Sequence, residues 1–523
     1  MAKAIRLTGN DVTMDILWQV AYGQPGRDYM VELSTEGRAK MKESRTYIES
    51  RMGSGEAIYG VNTGFGAFSS VRISDGEIEQ LQRNLIRSHS VGVGPLFSKQ
   101  QARAILFLRA NALVRGHSGI RAEVVEKLIE FLNGDVIPAI PQQGSVGASG
   151  DLAPLSHLAL AIIGEGKVFG PDHTDTREHV ISVREALEKK GMKPLDLRAK
   201  EGLSMINGCQ VMTAVGLLAA YEARRLTWLT DLAGAMTLEA MQGTRSAFDP
   251  LISATRPHEG EIKTAENLRV LLGETSPIAE SHKDCGRVQD AYSLRCMPAV
   301  HGAAKDAIRR GIQTLEVEAN SSTDNPLVFS KEGKILSCGN FHGEPVAFQL
   351  DFMAIATSAM ASMSECRIEK LINPAMSGLP AFLAPQGGLN SGHMIVQVAA
   401  AALVSENKIL SHPASVDSIP TSADKEDHVS MGTIASRKFQ SIVRNAESIV
   451  AMELLSATQA LDMLKDDKGQ KLLPAGAVKK ALEIVRAKVP FAHEDRIFHD
   501  DIEAIRDLIR GGAFDGVCAG LDF

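Results

Sequence analysis

The chain has 523 residues, of which 44% are apolar and 23% charged, and its formal net charge is −7. That length is enough for a sizeable core and corresponds to roughly three domains as a size prior. An acidic balance without a dense Lys/Arg run excludes the electrostatic footprint of a nucleic-acid binder, although local charge can still receive a small zwitterion. The first twenty residues lack the apolar core of a signal peptide, and the apolar stretch 396–404 is too short to cross a bilayer. Six cysteines (Cys209, Cys285, Cys296, Cys338, Cys366 and Cys518) are scattered without CxxC pairing. They read as reduced thiols of a cytoplasmic protein, not as a zinc or disulfide framework.

In chain order, a short strand is expected at 57–60, followed by a loop reading YGVNTGFG over 59–66. Helical spacing of apolar residues then predicts helices over 78–87, 99–114 and 122–132. Residues 137–151 read IPAIPQQGSVGASGD, a loop rich in Pro and Gly. A helix follows in DLAPLSHLALAIIGEG, with Asp151 as its cap, Pro154 tolerated in its first turn, and Gly164 or Gly166 as its stop. A long helix is predicted over 207–244, interrupted near Gly216 and Gly234, and another over 344–372. Between them, EANSSTDNPL at 318–327 is a polar loop, and 327–336 reads as a hairpin turning at Gly333. No internal repeat appears. The fold class is mainly α, because long helices that are apolar around much of their surface need neighbours in a bundle.

Polar loops on a helical scaffold are where chemistry gathers. Ala-Ser-Gly by itself occurs by chance in roughly one chain in five of this length. In Ala148-Ser149-Gly150 each residue type has a chemical reason. With no Cβ, Gly150 lets the backbone fold tightly enough to bring its amide nitrogen onto the Ala148 carbonyl. Ring closure loses one water, and loss of the Ser149 hydroxyl as a second water leaves an exocyclic methylidene. Gly144 and Gly147 relax the approach. The helix that follows presents its positive end, which stabilises negative charge growing on the ring oxygen when an amine adds. Two other signals carry less. HEDRIFHDD at 493–501 matches no zinc or calcium spacing and reads as a solvated charged face, so no metal is expected. Gly64 and Gly66 form only a fragment of a dinucleotide motif.

GSVGASGDLAPLSHLAL resembles the signature of the aromatic amino acid ammonia-lyase family, whose members make a methylidene-imidazolone (MIO) from Ala-Ser-Gly. The resemblance spans about 59–431. It recurs in YGVNTGFG, KEGLSMINGCQ (200–210), VQDAYSLRC (288–296), TDNPL (323–327), GNFHGEPVAF (339–348) and EDHVSMG (426–432). It implies an N-terminal domain, 1–205, carrying a mobile tyrosine loop and the MIO turn. An elongated helical bundle, 206–523, follows. It also implies a homotetramer with active sites shared among three subunits, and a small amino acid substrate with no external cofactor, nucleic acid or membrane. Tyr59 is then the base or proton shuttle, and Arg295 the clamp on the substrate carboxylate. Tyr292 lies close to the ring, and Asn207 hydrogen-bonds near the ring and the amino group. Gln289, Asn325 and Phe341 line the site.

The substrate is read from two further places. Ser88-His89 resembles the histidine-specific members, a pair some bacterial tyrosine aminomutases share, and Glu426 opens a Glu-Asp-His-Val pattern like theirs, where tyrosine and phenylalanine enzymes usually have Gln in place of this Glu. A carboxylate accepts from an imidazole N–H and stabilises imidazolium; Glu426 is also a second candidate for proton transfer. The expected reaction is elimination of ammonia from L-histidine to give trans-urocanate, a carbon–nitrogen lyase activity. A tyrosine lyase or aminomutase on the same scaffold is the rival, and a non-catalytic helical scaffold the remote one. The chain departs from common family residues at Cys209, Ala291, Met297, His393 and Asp424-Lys425; none of these removes a catalytic residue.

Overall fold

Ser98 opens the first long buried helix, Lys99–Val114. Its hydroxyl accepts from the Gln101 N–H, and the Gln101 side chain returns to the Ser98 backbone N–H, a reciprocal capping box. Every residue from Gln101 to Val114 is buried, Arg103, Arg109 and Asn111 included, so the helix is surrounded by neighbours on all sides. Met14–Tyr22 and Ala122–Asn133 pack against it. Phe107 alone, fully buried, contributes about 1.5–3 kcal/mol of apolar burial.

The computed structural model describes residues 2–52, 58–64, 66–68, 70–174 and 179–523, and helices dominate it. The chain divides into two compact units. One gathers Met1–Tyr221, Gly311–Asp351 and Pro413–Arg437; the other gathers Glu222–Arg310, Phe352–His412 and Lys438–Phe523. Among the described residues, strands come only as two-stranded sheets: Lys3–Leu7 with Tyr29–Leu33 (parallel), and three antiparallel pairs. In the first unit, Ile78–His89 packs against both Leu152–Ile162 and Glu201–Ile206, and these three helices form one side of the site described below. In the second unit the interior holds paired charges. Arg367 binds Glu453 at 2.5 and 2.9 Å, and Asp231 holds His301 and Lys305 at 2.8 and 2.6 Å, all fully buried. Breaking one partner of such a pair is costly, since it strands a charge away from water.

Several sequence expectations change. Ala57 lies outside the described residues, and Ile58–Gly60 form a turn, not a strand. The helix expected over 207–244 is a single one, Gln210–Ala240; a separate short helix, Glu201–Ile206, precedes it and ends where Asn207 leaves helical geometry at φ −90°, ψ 108°. Gly216 and Gly234 do not interrupt the second helix. A Cβ on Gly216 would come within 2.6 Å of Leu350, so this glycine serves close packing. The hairpin is present, Leu327–Phe329 against Lys334–Leu336, with Gly333 at φ +63°. The stretch 396–404, expected to be too short to cross a bilayer, lies within the helix Met394–Leu410. Glu344–Ile372 is long and apolar enough to cross one by length and composition, but half of its apolar window is buried within the protein.

Candidate active site

The Ala148-Ser149-Gly150 turn lies between the strand Pro141–Gln143 and the helix Leu152–Ile162. Gly150 sits at φ +72°, and a Cβ there would fall 2.3 Å from the Gly208 carbonyl oxygen, so only glycine fits. Asp151 donates its N–H to that same oxygen at 2.8 Å, and Gly150 and Gly208 form a parallel bridge. Asp151 occupies the N-cap position of Leu152–Ile162, as the sequence suggests, but its side chain makes no bond to that helix. Its buried carboxylate instead accepts from the N–H groups of Val211 (2.9 Å) and Met212 (3.0 Å), capping the helix Gln210–Ala240. Thr433 and Ser145 also donate to it. Burial pushes the Asp151 carboxyl up, opposed by these hydrogen bonds. The tripeptide is thereby tied to two helix N-termini, which favour negative charge nearby.

The Ser149 hydroxyl donates to Glu426 Oε1 at 2.8 Å, and Thr421 donates to Glu426 Oε2 at 2.7 Å. Three consecutive left-handed residues, Ser422, Ala423 and Asp424 (φ +52°, +53° and +61°), turn the chain so that Thr421 and Glu426 pair through their backbones. Such strain concentrates at functional turns. With its amide oriented to satisfy both neighbours, Asn207 donates to the Ser149 carbonyl oxygen at 2.9 Å and accepts from the Asn325 N–H at 3.2 Å. Asn325 Oδ1 in turn accepts from the Cys338 N–H at 2.8 Å. A hydroxyl on a carboxylate and an amide on the adjoining carbonyl suit dehydration and charge stabilisation at this tripeptide. The residues present therefore fit an MIO made in place.

These groups face a cavity of about 1150 Å³ lined by Tyr59, His89, Ser149, Asn207, Asn325, Phe341 and Glu426 among others. Leu81, Leu85 and Leu203 give it an apolar wall, the usual makeup of a small-molecule site. Burial pushes the Tyr59 phenol up, with the Glu426 and Asp324 carboxylates adding to the shift, against a hydrogen bond from the Gly66 backbone. In this chain Tyr59 is thus less acidic than a free phenol, the opposite of what a ready base needs. Burial lowers His89, only partly offset by the Leu85 carbonyl and Glu426, so the imidazole is neutral at neutral pH. Its Nδ1 lies 3.0 Å from the Ser88 hydroxyl.

Three expected site residues, Gln289, Tyr292 and Arg295, do not line this cavity and belong to the second unit. There Arg295 donates to Gln289 at 3.1 Å and lies 4.5 Å over the ring of Tyr292, which is 70% exposed. Among the departures from common family residues, Lys425 lines the cavity, whereas Cys209, Ala291, Met297 and His393 do not. Cys209 is buried, donates to the Phe341 carbonyl at 3.0 Å, and burial pushes its thiol up. His393 is buried against Phe498 and Ser456.

The sequence reading missed the groups that hold the site residues in place. Arg109, fully buried, donates to the Asn207 carbonyl at 3.0 Å and also to Gln210 and Ser204. Lys200 pairs with Asp324 at 2.7 Å, next to Asn325, and Ser204 donates to the same carboxylate. A cation in the middle of an apolar helix was the available signal for Arg109, since a buried charge needs fixed partners.

The family model for aromatic amino acid lyases matches residues 12–487. The histidine ammonia-lyase of Koribacter versatilis is 53% identical over 523 residues, covering 98% of both chains. Among solved structures, histidine ammonia-lyase from Trypanosoma cruzi superposes with a TM-score of 0.89 at 42% identity, covering 98% of this chain and 95% of that one. Tyrosine aminomutase from Streptomyces globisporus reaches 0.90 at 37% identity, covering 99% of each. Likeness of this extent reaches well beyond the turn at Ala148-Ser149-Gly150, and the chain belongs to the aromatic amino acid lyase family.

Proposed function

We propose that this chain is a carbon–nitrogen lyase that eliminates ammonia from L-histidine to give trans-urocanate, using an MIO formed from Ala148, Ser149 and Gly150. The observation that carries the reading is the Ser149–Glu426 hydrogen bond in a cavity that also holds His89. Tight similarity to histidine ammonia-lyases over nearly the whole chain supports it. The MIO supplies an electrophile for the substrate amine. Asn207, donating to the Ser149 oxygen, stabilises negative charge there. Once the Ser149 hydroxyl has left as water, Glu426 Oε1 loses its donor and is free to accept from the substrate imidazole N–H. Thr421 keeps the other oxygen in place.

His89, neutral and held by Ser88, pairs with the imidazole as donor or acceptor. Asn325 and Phe341 close the cavity around the substrate. Tyr59 enters as a neutral phenol and so serves as the proton shuttle, with Glu426 as the second group able to move a proton; to act as the base, Tyr59 must first give up its own proton. Gln289, Tyr292 and Arg295 are supplied to each cavity by neighbouring subunits of a homotetramer. Arg295 clamps the substrate carboxylate, and Tyr292 sits beside the ring. The exposure of Tyr292 in a single chain agrees with that role. The assembly works in the cytoplasm. Purified protein given histidine, tyrosine and phenylalanine in parallel tests the reading: urocanate and ammonia accumulate in equal amounts from histidine. Coumarate or β-tyrosine formed in place of urocanate would assign the site to tyrosine.

A further inference from the structure

We propose that His342, Glu344 and His428 form a binding site for a divalent transition ion beside the cavity, outside the elimination chemistry. Their donor atoms all lie within 4.8 Å of one another. Two imidazoles and one carboxylate, with positions left for water, make a donor set suited to zinc and its neighbours. The proton arrangement fits as well. His342 Nε2 lies 3.2 Å from the His428 carbonyl oxygen and donates to it, so the lone pair sits on Nδ1, which accepts from the Glu344 backbone N–H at a long 3.3 Å and lies 4.0 Å from Glu344 Oε2; an ion takes the place of that amide. A ring nitrogen fixed by a backbone carbonyl on its far side is the usual arrangement of a metal-ligating histidine. His428 Nε2 lies 3.8 Å from the same carboxylate oxygen.

That oxygen is the anomaly that needs an occupant. Glu344 Oε2 is sealed from solvent and accepts no hydrogen bond among the described residues, which is unfavourable for a carboxylate. Neither imidazole approaches it to hydrogen-bond distance. Zinc bonds of about 2.0–2.2 Å place tetrahedral donors roughly 3.3–3.5 Å apart, so the three groups need to close by about 1 Å or less for most pairs. His428 is exposed and free to make that movement.

The spacing within the sequence hides this set, because His342 and Glu344 come from one segment and His428 from another. Each segment also carries a cavity residue: Phe341 precedes His342, and Glu426 lies two residues before His428. An ion bound here would bridge the two segments that present Phe341 and Glu426.

The test uses the metal-stripped full-length protein titrated with zinc alone, with bound metal counted after dialysis. One zinc per chain is expected. His428→Ala and Glu344→Gln should each weaken binding tenfold or more, while His499→Ala, at an exposed histidine of the other unit, leaves it unchanged. A match of thermal midpoints without metal confirms that both variants fold. No retained zinc, or equal affinity in both variants and the parent, overturns the site. Amide exchange over 421–428 should slow with zinc in the parent and not in His428→Ala; unchanged exchange in the parent overturns the bridging role.

Discussion

Replacing Glu426 by Gln isolates the charge on which substrate choice is proposed to rest. The side chain keeps its shape. Thr421 still has an oxygen or a reoriented hydroxyl partner, and the backbone pairing of Thr421 with Glu426 (2.9 and 3.2 Å) does not depend on the side chain. Stability should therefore change little. What is lost is a charge-assisted hydrogen bond to the imidazole, about 1.5–3 kcal/mol. If that bond is made fully in the transition state, kcat/KM for histidine falls roughly ten- to a hundredfold or somewhat more. Steady-state assays on histidine and tyrosine in parallel measure it, and the ratio between the two substrates should narrow by the same factor. A loss of histidine activity below about threefold, with the ratio unchanged, would refute the assignment of Glu426 as the imidazole partner.

Other expectations follow from the same geometry. Gly150→Ala forces a Cβ onto the Gly208 carbonyl at a left-handed φ, a strain of about 1–3 kcal/mol before the clash is added. Its thermal midpoint should drop, and two waters should no longer be lost from its turn peptide. Arg109→Met orphans the Asn207 and Ser204 carbonyls, each costing about 1–3 kcal/mol. Loss of the Asn207 anchor should lower kcat more than it raises KM, and Arg109→Lys should restore part of it. His393 is fully buried and held down to about 3 by burial, against an ordinary value of 6.5. Its folded pKa is depressed, so the unfolded chain binds the extra proton. This part of the stability is present above about pH 6.5 and lost as pH falls toward about 3. His393→Phe should flatten the acid-denaturation curve across that window; an unchanged slope counts against it.

How much of this was legible in the sequence differs from residue to residue. The helices Lys99–Val114 and Glu344–Ile372 coincide with the periodic stretches that predicted them, because burial on most sides leaves an uninterrupted apolar pattern. The non-helical start at Asn207 and the short helix Glu201–Ile206 before it were not read, because that geometry depends on tertiary partners: Arg109 on the Asn207 carbonyl and Gly208 against Gly150. Asp151 was read as a cap for the nearest helix. Its side chain caps another helix that arrives some sixty residues later, a partner no local pattern reveals. Tyr59, His89, Asn207, Asn325, Phe341 and Glu426 come from scattered segments yet share one cavity; motif resemblance gathered them where spacing alone could not. Gln289, Tyr292 and Arg295 were named on the same grounds and lie outside the cavity of the single chain.

The central claim is that Ala148, Ser149 and Gly150 become the electrophile of an ammonia-lyase. Mass measurement on the proteolytic peptide spanning these residues, taken from protein that is converting histidine to urocanate, tests it most directly. The account predicts a peptide two waters lighter than its sequence, and for Ser149→Ala a peptide of unmodified mass from a folded, inactive protein. An unmodified peptide from an active preparation would contradict it.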